Sequence, residues 1–323
     1  MVQVSREIVT PWPWRLPRYG GPDGLARVSG GALRRLLHLG DEAVVVTVRQ
    51  PARDRALLAA RADSRDAAEH GIERLRFALG LDDDLRPFYE RFRWDPLIGA
   101  AVRRDPLRRV RRRPDPFEAL TWAITEQLIE FDRAVVIQKR LIARLGRRCA
   151  RTGLRDAPSP AALAGAAPAM LQSCDLAAGR AVALIRAARE IAAGRVDLSG
   201  PAAAGRVDSG PDHSGPVGAG RVDSGPDRSG SVAAWRRLRA IPGIGQWTME
   251  MLALHGHGRL DVVPAGDLGF LKLVGRLRAG DPYARATPEE AHAFFERYAP
   301  WAGQAGAYLL SPGGLARRRL AAA

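Results

Sequence analysis

Residues 238–269 read LRAIPGIGQWTMEMLALHGHGRLDVVPAGDLG. Ile241-Pro242-Gly243-Ile244-Gly245 cannot continue a helix, because Pro242 has no N–H to give and the two glycines favour left-handed or close-approach backbone. The segment is therefore a tight turn. Leu238 before it and Trp247, Met251, Leu252 and Leu254 after it recur at helical spacing, so the unit reads helix, hairpin, helix. The second helix opens with amides that have no intrahelical acceptor. Gln246 and Thr248 belong to that opening turn, and glycine backbone lets an anion approach it closely. About twenty residues on, a single aspartate, Asp267, stands between Gly266 and Leu268-Gly269.

The whole chain suits an anionic partner. It has 323 residues, a formal net charge of +15 and a pI near 11.1, and its basic residues are nearly all arginine. Lys139 and Lys272 are its two lysines, so chemistry that needs a lysine amine has two candidates. Charge alone also fits RNA-binding or chromatin proteins. At 46% hydrophobic, the length supports a sizeable core and two domains. No apolar run reaches the roughly 20 residues of a membrane span, and MVQVSREIVTPWPW has no signal-type apolar core. A cytoplasmic, nucleoid-associated location is expected. The two cysteines, Cys149 and Cys174, exclude a four-cysteine metal or iron–sulfur site and read as free core thiols. His255 and His257, two apart beside glycines and without a carboxylate or thiol cluster, read as surface histidines rather than metal ligands.

Residues 1–112 read as an α+β domain. Ala43-Val44-Val45-Val46-Thr47-Val48 is a β-branched run between Gly40-Asp41 and Pro51, a strand signal. Ala68, Ile72, Leu75 and Leu79 then share a helical face that ends at Gly80. Arg103–Pro114 (RRDPLRRVRRRP) carries seven arginines and reads as an exposed connection, either solvated or touching phosphate. Residues 113–312 read as an all-α domain, making the molecule mainly α. Asp115-Pro116-Phe117-Glu118 is a helix start, with Asp as N-cap, Pro at the first position and Glu closing a capping box. Asp132 is placed to cap the next helix, which ends near Gly146. Helices are predicted over 159–173 and 178–193, and Thr287-Pro288-Glu289-Glu290 repeats the start signal. In 194–230 GRVD recurs at 194, 205 and 220 among Gly, Pro and Ser, which reads as a low-complexity insertion without enough apolar surface to fold. Residues 313–323 read as a disordered tail.

Several stretches in order resemble one family: DDDLRPFY at 82–89, RRPDPFEALTWAITEQLI at 112–129, IPGIGQWT at 241–248, DVVPAGDLG at 261–269 and YAPW at 298–301. They are similar to the helix-hairpin-helix (HhH-GPD) base-excision DNA glycosylases, and within them to the alkylpurine branch, DNA-3-methyladenine glycosylase II (AlkA-type). The resemblance implies hydrolysis of the N-glycosidic bond of 3-methyladenine and related alkylated purines in double-stranded DNA, by a monomer without an organic cofactor. It implies that Asp267 is catalytic, and the chemistry agrees. Breaking the bond builds positive charge on the sugar, which a carboxylate in a water-poor pocket stabilises while it orients or deprotonates water. The other reading of Asp267 is an N-cap alone. Trp247 falls where lyase-type relatives such as endonuclease III carry a Schiff-base lysine, so water is the expected nucleophile and the abasic strand stays uncut. Its ring would attract a cationic base, unless it is a plain core residue.

Because the damaged base must leave the duplex, the resemblance gives Leu128 the role of wedge in the vacated stack and sets Gln127 beside the pocket. Trp122, Met251 and Leu268 complete the expected pocket, with Trp14 and Tyr19 as weaker candidates. Met251, Leu268 and Leu310 stand where better-known members carry aromatics, so this pocket is less aromatic. Ile241 through Gln246, with Thr248, form the expected phosphate grip, whose backbone carbonyls suit a monovalent cation. A glycosylase of the same fold for hypoxanthine or an oxidised purine, and a noncatalytic DNA-binding hairpin protein, are the alternatives.

Overall fold

The computed structural model describes residues 1–199 and 228–311. Five antiparallel strands come first, β1 (Val2–Val9), β2 (Ala26–Ser29), β3 (Ala32–Leu39), β4 (Glu42–Ala52) and β5 (Arg55–Ala62), in the sheet order β1-β5-β4-β3-β2. The predicted strand at 43–48 is the middle of β4. Its Val44, Val46 and Val48 are buried at alternate positions, the period of a half-covered strand, and Leu37 and Leu33 on β3 pair with Val44 and Val48. Helix α1 (Arg65–Ala78) covers these residues with Ala68, Ile72 and Leu75. Ser64 caps it, its Oγ accepting from the Ala67 amide at 3.1 Å. Gly71 lets it lie close to the sheet, since a Cβ there would stand 2.6 Å from a Val44 methyl. The chain leaves α1 through Gly80 at φ 62°, a left-handed conformation that glycine adopts without a side-chain penalty.

The remaining helices are α2 (Arg86–Phe92), α3 (Gly99–Arg104), α4 (Pro116–Glu126), α5 (Phe131–Leu145), α6 (Pro160–Ala164), α7 (Pro168–Gln172) and α8 (Ala178–Ala192), then α9 (Arg228–Arg239), α10 (Gln246–Met251), α11 (Leu268–Ala279), α12 (Pro288–Phe295) and α13 (Ala302–Leu309). They build two apolar cores. One gathers α4, α5, α8, α9 and α10 around Leu120, Ile124, Leu141, Leu184, Leu238 and Leu252. The other joins α2 and α3 to α11, α12 and α13, with Phe88, Phe92, Val102, Phe270, Phe295 and Tyr308 in contact. The sheet's own core therefore ends at Leu81, while residues 86–104 pack with the end of the chain.

Local expectations fare unevenly. The Thr287 capping box is present, with Thr287 Oγ1 accepting from Glu290 N at 3.2 Å and Glu290 Oε2 accepting from Thr287 N at 2.9 Å. Asp115 caps α4 with Pro116 at its first position, but Glu118 closes no box: its carboxylate instead accepts from Arg35 at 2.6 Å and Arg113 at 3.3 Å. Glu130 rather than Asp132 holds the cap position of α5. The predicted helix over 159–173 is two short ones, because Pro168 supplies no amide to a continuous ladder. The arginine run 103–114 is not an exposed connection throughout. Arg109 donates to the carbonyls of Gly80 (2.8 Å), Trp12 (3.1 Å) and Pro13 (3.1 Å), and Arg112 to Asp83 at 2.9 Å. Burial holds the Arg109 pKa below its ordinary value. Within 194–230, Val196 and Leu198 are buried in the first helical core, residues 200–227 lie outside the described residues, and α9 starts at Arg228. The tail 313–323 also lies outside them. Both cysteines are buried and free.

Candidate DNA interface and base pocket

The hairpin forms as read. Ile241 and Ile244 are buried and anchor the turn, whereas Pro242, Gly243 and Gly245 are exposed. Gly243 sits at φ 92°, where an L-residue would be strained. Gly245 occupies the N-cap of α10 without a side-chain cap, and the amides of Gln246, Trp247 and Thr248 have no acceptor among the described residues. The side chain of Gln246 does not join them. It turns inward and donates to Glu250 at 2.8 Å, so this residue can offer an anion its backbone only. Thr248 is likewise buried, and its Oγ1 accepts from Gln127. α10 runs directly into a π-helical turn, Leu252–Gly256.

Gln127 ends α4 and fastens it to the hairpin, its Nε2 donating to the Gly243 carbonyl and to Thr248 Oγ1, both at 2.7 Å. That amide is committed to holding two elements together. Its carbonyl accepts from Arg180 at 2.9 Å, which fixes the segment from behind. Leu128 follows at φ 55° with its side chain 104% exposed, so a large apolar residue is presented whole to solvent on strained backbone. Such a residue is not a core leucine.

Asp267 caps α11, its Oδ1 accepting from the Gly269 amide at 2.7 Å. Capping and a pocket role are thus not alternatives: the cap fixes the carboxylate's position. Burial raises its pKa above the ordinary aspartate value, against the amides of Gly269 and Phe270, which favour the charge. Trp247 packs at Gly266, where a Cβ would stand 3.6 Å from the Trp247 Cβ. Leu310 lies beside Gly269, and Leu268 is half exposed at the first position of α11. Met251 is half-buried at the end of α10.

On α4, Trp122 is buried, stacks on Phe131 with ring centroids 6.4 Å apart, and carries the Arg113 guanidinium 4.2 Å from its centroid. The indole N–H groups of Trp122 and Trp247 are buried and have no acceptor among the described residues. Of the weaker candidates, Trp14 is in the core of the sheet, donating to the Arg55 carbonyl at 3.0 Å, and Tyr19 is exposed. Sequence reasoning misses Glu126, Arg113 and Phe131. Glu126 does carry a signal, four residues beyond Trp122 and next to Gln127. An open cleft of about 680 Å³ between Trp12, Arg15, Arg53, Tyr89 and Pro106 is separate from these residues and has no carboxylate in its lining.

The two histidines are half-buried, not surface groups. His255 Nδ1 donates to the Arg111 carbonyl at 2.6 Å, and His257 packs on Trp235. Burial depresses both to about 4, so both are neutral near pH 7. Among the described residues no three His, Cys, Asp or Glu side chains are grouped to hold a metal ion, and no helix is long and apolar enough to cross a membrane.

A model of the HhH-GPD superfamily of base excision DNA repair proteins matches residues 121–300, more than half of the chain. The chain belongs to that family. The probable bifunctional transcriptional activator/DNA repair enzyme AlkA of Mycobacterium tuberculosis (strain H37Rv) is 29% identical over 294 residues, 88% of this chain and 51% of that protein. This chain thus spans about half the length of that relative. Two solved structures share the fold. The 3-methyladenine DNA-glycosylase from Archaeoglobus fulgidus has a TM-score of 0.72 at 19% identity, with 94% of this chain and 96% of that one covered. The Clostridium acetobutylicum 8-oxoguanine glycosylase/lyase, in complex with double-stranded DNA containing cytosine opposite 8-oxoguanine, has a TM-score of 0.60 at 15% identity, covering 88% and 95%.

Proposed function

We propose that this protein is a monofunctional DNA glycosylase that hydrolyses the N-glycosidic bond of alkylated purines such as 3-methyladenine in double-stranded DNA. The observation that carries the reading is Asp267, a largely buried carboxyl fixed by the amide of Gly269 beside Trp247 and joined through the hairpin to an exposed Leu128. A noncatalytic DNA grip has no use for such a group.

In this reading the hairpin amides hold a phosphate, Leu128 fills the gap left by the flipped nucleotide, and the base enters against Trp247 and Trp122. An N-alkylated purine carries positive charge, is drawn to the aromatic faces and leaves readily. Asp267 stabilises the oxocarbenium character of the sugar and takes a proton from the attacking water, a task that its raised pKa favours. Trp247 stands at the lyase lysine's place, while Lys139 and Lys272 are exposed on other helices, so no amine is set to form a Schiff base.

Wild type and Asp267→Asn are incubated with duplexes carrying single alkylated purines, then treated with hot alkali. Asparagine caps a helix as well as aspartate does, so the variant is expected to fold with an unchanged melting temperature and to lose about 10²–10³-fold in excision rate or more. Equal rates would remove Asp267 from its role, and strand cleavage without alkali, trapped by borohydride, would contradict the monofunctional assignment. No release from any duplex would end the enzymatic reading.

A further inference from the structure

α4 delivers three consecutive residues to the site, and the first of them has no task in the reading above. Gln127 is spent on the hairpin and Leu128 is exposed, whereas Glu126 is half-buried and its carboxyl makes no hydrogen bond or ion pair among the described residues. It lies one helical turn beyond Trp122, so both occupy the same face of α4. Trp122 in turn carries Arg113 over its ring and has a buried indole N–H without an acceptor. The neighbouring Gln127 fastens this end of α4 to the hairpin at Gly243 and Thr248, next to Trp247, which packs at Gly266 beside Asp267, and the charged groups that act on Glu126 are Arg113 and Asp267. Burial raises its pKa most, Asp267 raises it further and Arg113 opposes both, leaving the carboxyl at about 7. Two carboxyls that act on each other, one fixed by backbone amides and the other without a partner among the described residues, have environments that separate an acid from a base. The unpartnered Trp122 N–H points to a ligand with hydrogen-bond acceptors on that side.

Resting on the glycosylase reading, we propose that Glu126 is the general acid of the pocket and that it extends excision from cationic lesions to uncharged purines such as hypoxanthine. A cationic base leaves neutral and needs no proton. An uncharged base would leave as an anion, which is far harder unless a ring nitrogen is protonated as the bond breaks. The carboxyl of Glu126 gives its proton to a ring nitrogen of the base. The C1′–N9 bond breaks with its electron pair going to the base, water oxygen bonds to C1′, and the water proton passes to the Asp267 carboxylate. The base leaves neutral. The positive charge of Arg113 favours the new Glu126 carboxylate, and exchange with solvent moves a proton off Asp267 and onto Glu126 to restore the start.

Single-turnover excision of hypoxanthine and of 7-methylguanine is measured in one duplex sequence as a function of pH. Wild type is expected to lose hypoxanthine activity as pH rises past about 7, with no matching loss for 7-methylguanine, and both to fall together at low pH where Asp267 protonates. In Glu126→Gln the alkaline limb disappears and the hypoxanthine-to-7-methylguanine rate ratio falls about 10²-fold or more. Glu126→Asp, which keeps an acid, retains the alkaline limb and a ratio above that of the glutamine variant. The aspartate variant's alkaline limb can be read by itself, so the test stands even if the glutamine variant folds poorly. An unchanged ratio in Glu126→Gln, an alkaline limb that survives it, or a wild type that releases 7-methylguanine but no hypoxanthine would overturn the proposal and leave the alkylpurine reading intact. Release of neither base would instead sink the glycosylase reading itself.

Discussion

Leu128 combines two features that folding stability disfavours: left-handed backbone at φ 55° and a fully exposed leucine side chain. A non-glycine residue in that conformation costs about 1–2 kcal/mol, so Leu128→Gly should stabilise the free protein by up to about 1 kcal/mol in a denaturation curve. The same change removes the side chain proposed as the wedge. Excision from duplex DNA should drop about tenfold or more, while excision from a single strand, where no stack closes behind the base, should change little. Equal losses on both substrates would show that Leu128 packs the pocket instead. The leucine is legible in the sequence only through its neighbours, since Gln-Leu carries no information alone; φ and exposure are what mark it. Glu126 is legible only as the helical neighbour of Trp122 and Gln127, because the charges that act on it, Arg113 and Asp267, come from outside its own helix.

At the scale of elements, the join between the end of α4 and the hairpin decides whether the proposed wedge and phosphate grip move together. Gln127 makes that join with two hydrogen bonds, to Gly243 and Thr248. Gln127→Ala leaves the buried Thr248 hydroxyl without its donor and should cost about 1–3 kcal/mol, with weaker duplex binding. Adding Thr248→Val removes the orphaned group, so the pair should cost less than the sum of the singles in urea denaturation. Strict additivity would mean that the bond carries no coupling. Elements with strong local chemistry are readable: the hairpin, the Thr287 box and the valine run of β4. The other four strands are not. β3, ALRRLLHL, breaks alternation because Arg35 is buried among partners, and β5, RALLAARA, covers its face with small alanines that also suit a helix. Gln246 shows a further limit, since its place in the sequence puts it on the grip and its side chain turns to Glu250.

Over the whole molecule, the sheet is held to the helices by buried charge. Arg35 of β3 donates to Glu118 of α4 at 2.6 Å and to Asp156 at 3.2 Å, and Arg113 joins Glu118 to Asp23 with bonds of 3.3 and 2.7 Å. Arginines 35, 109, 112 and 113 are turned inward, so these four of the chain's basic residues are not available to a polyanion partner. Arg113 sits at both junctions, bonded to Glu118 on one side and lying over Trp122 on the other, so the attachment of the sheet also shapes the pocket wall. Arg35→Met keeps the volume but takes from Glu118 and Asp156 the buried cation they share, leaving Glu118 with Arg113 and Asp156 with His38, and breaking a buried pair in this way costs about 3–5 kcal/mol. Burial already pushes the Glu118 carboxyl up, with Arg35 the larger of the two arginine charges opposing it. Without Arg35 it rises further. A carboxyl with a raised folded-state pKa binds its proton more tightly in the folded than in the unfolded chain, so the variant loses stability as pH rises from the ordinary carboxylate range through the raised value. The deficit relative to wild type should thus be smaller in mildly acidic buffer than near neutrality and above, read as the difference in melting temperature at each pH. A deficit independent of pH would locate the cost in lost packing of the arginine stem rather than in the lost ion pairs.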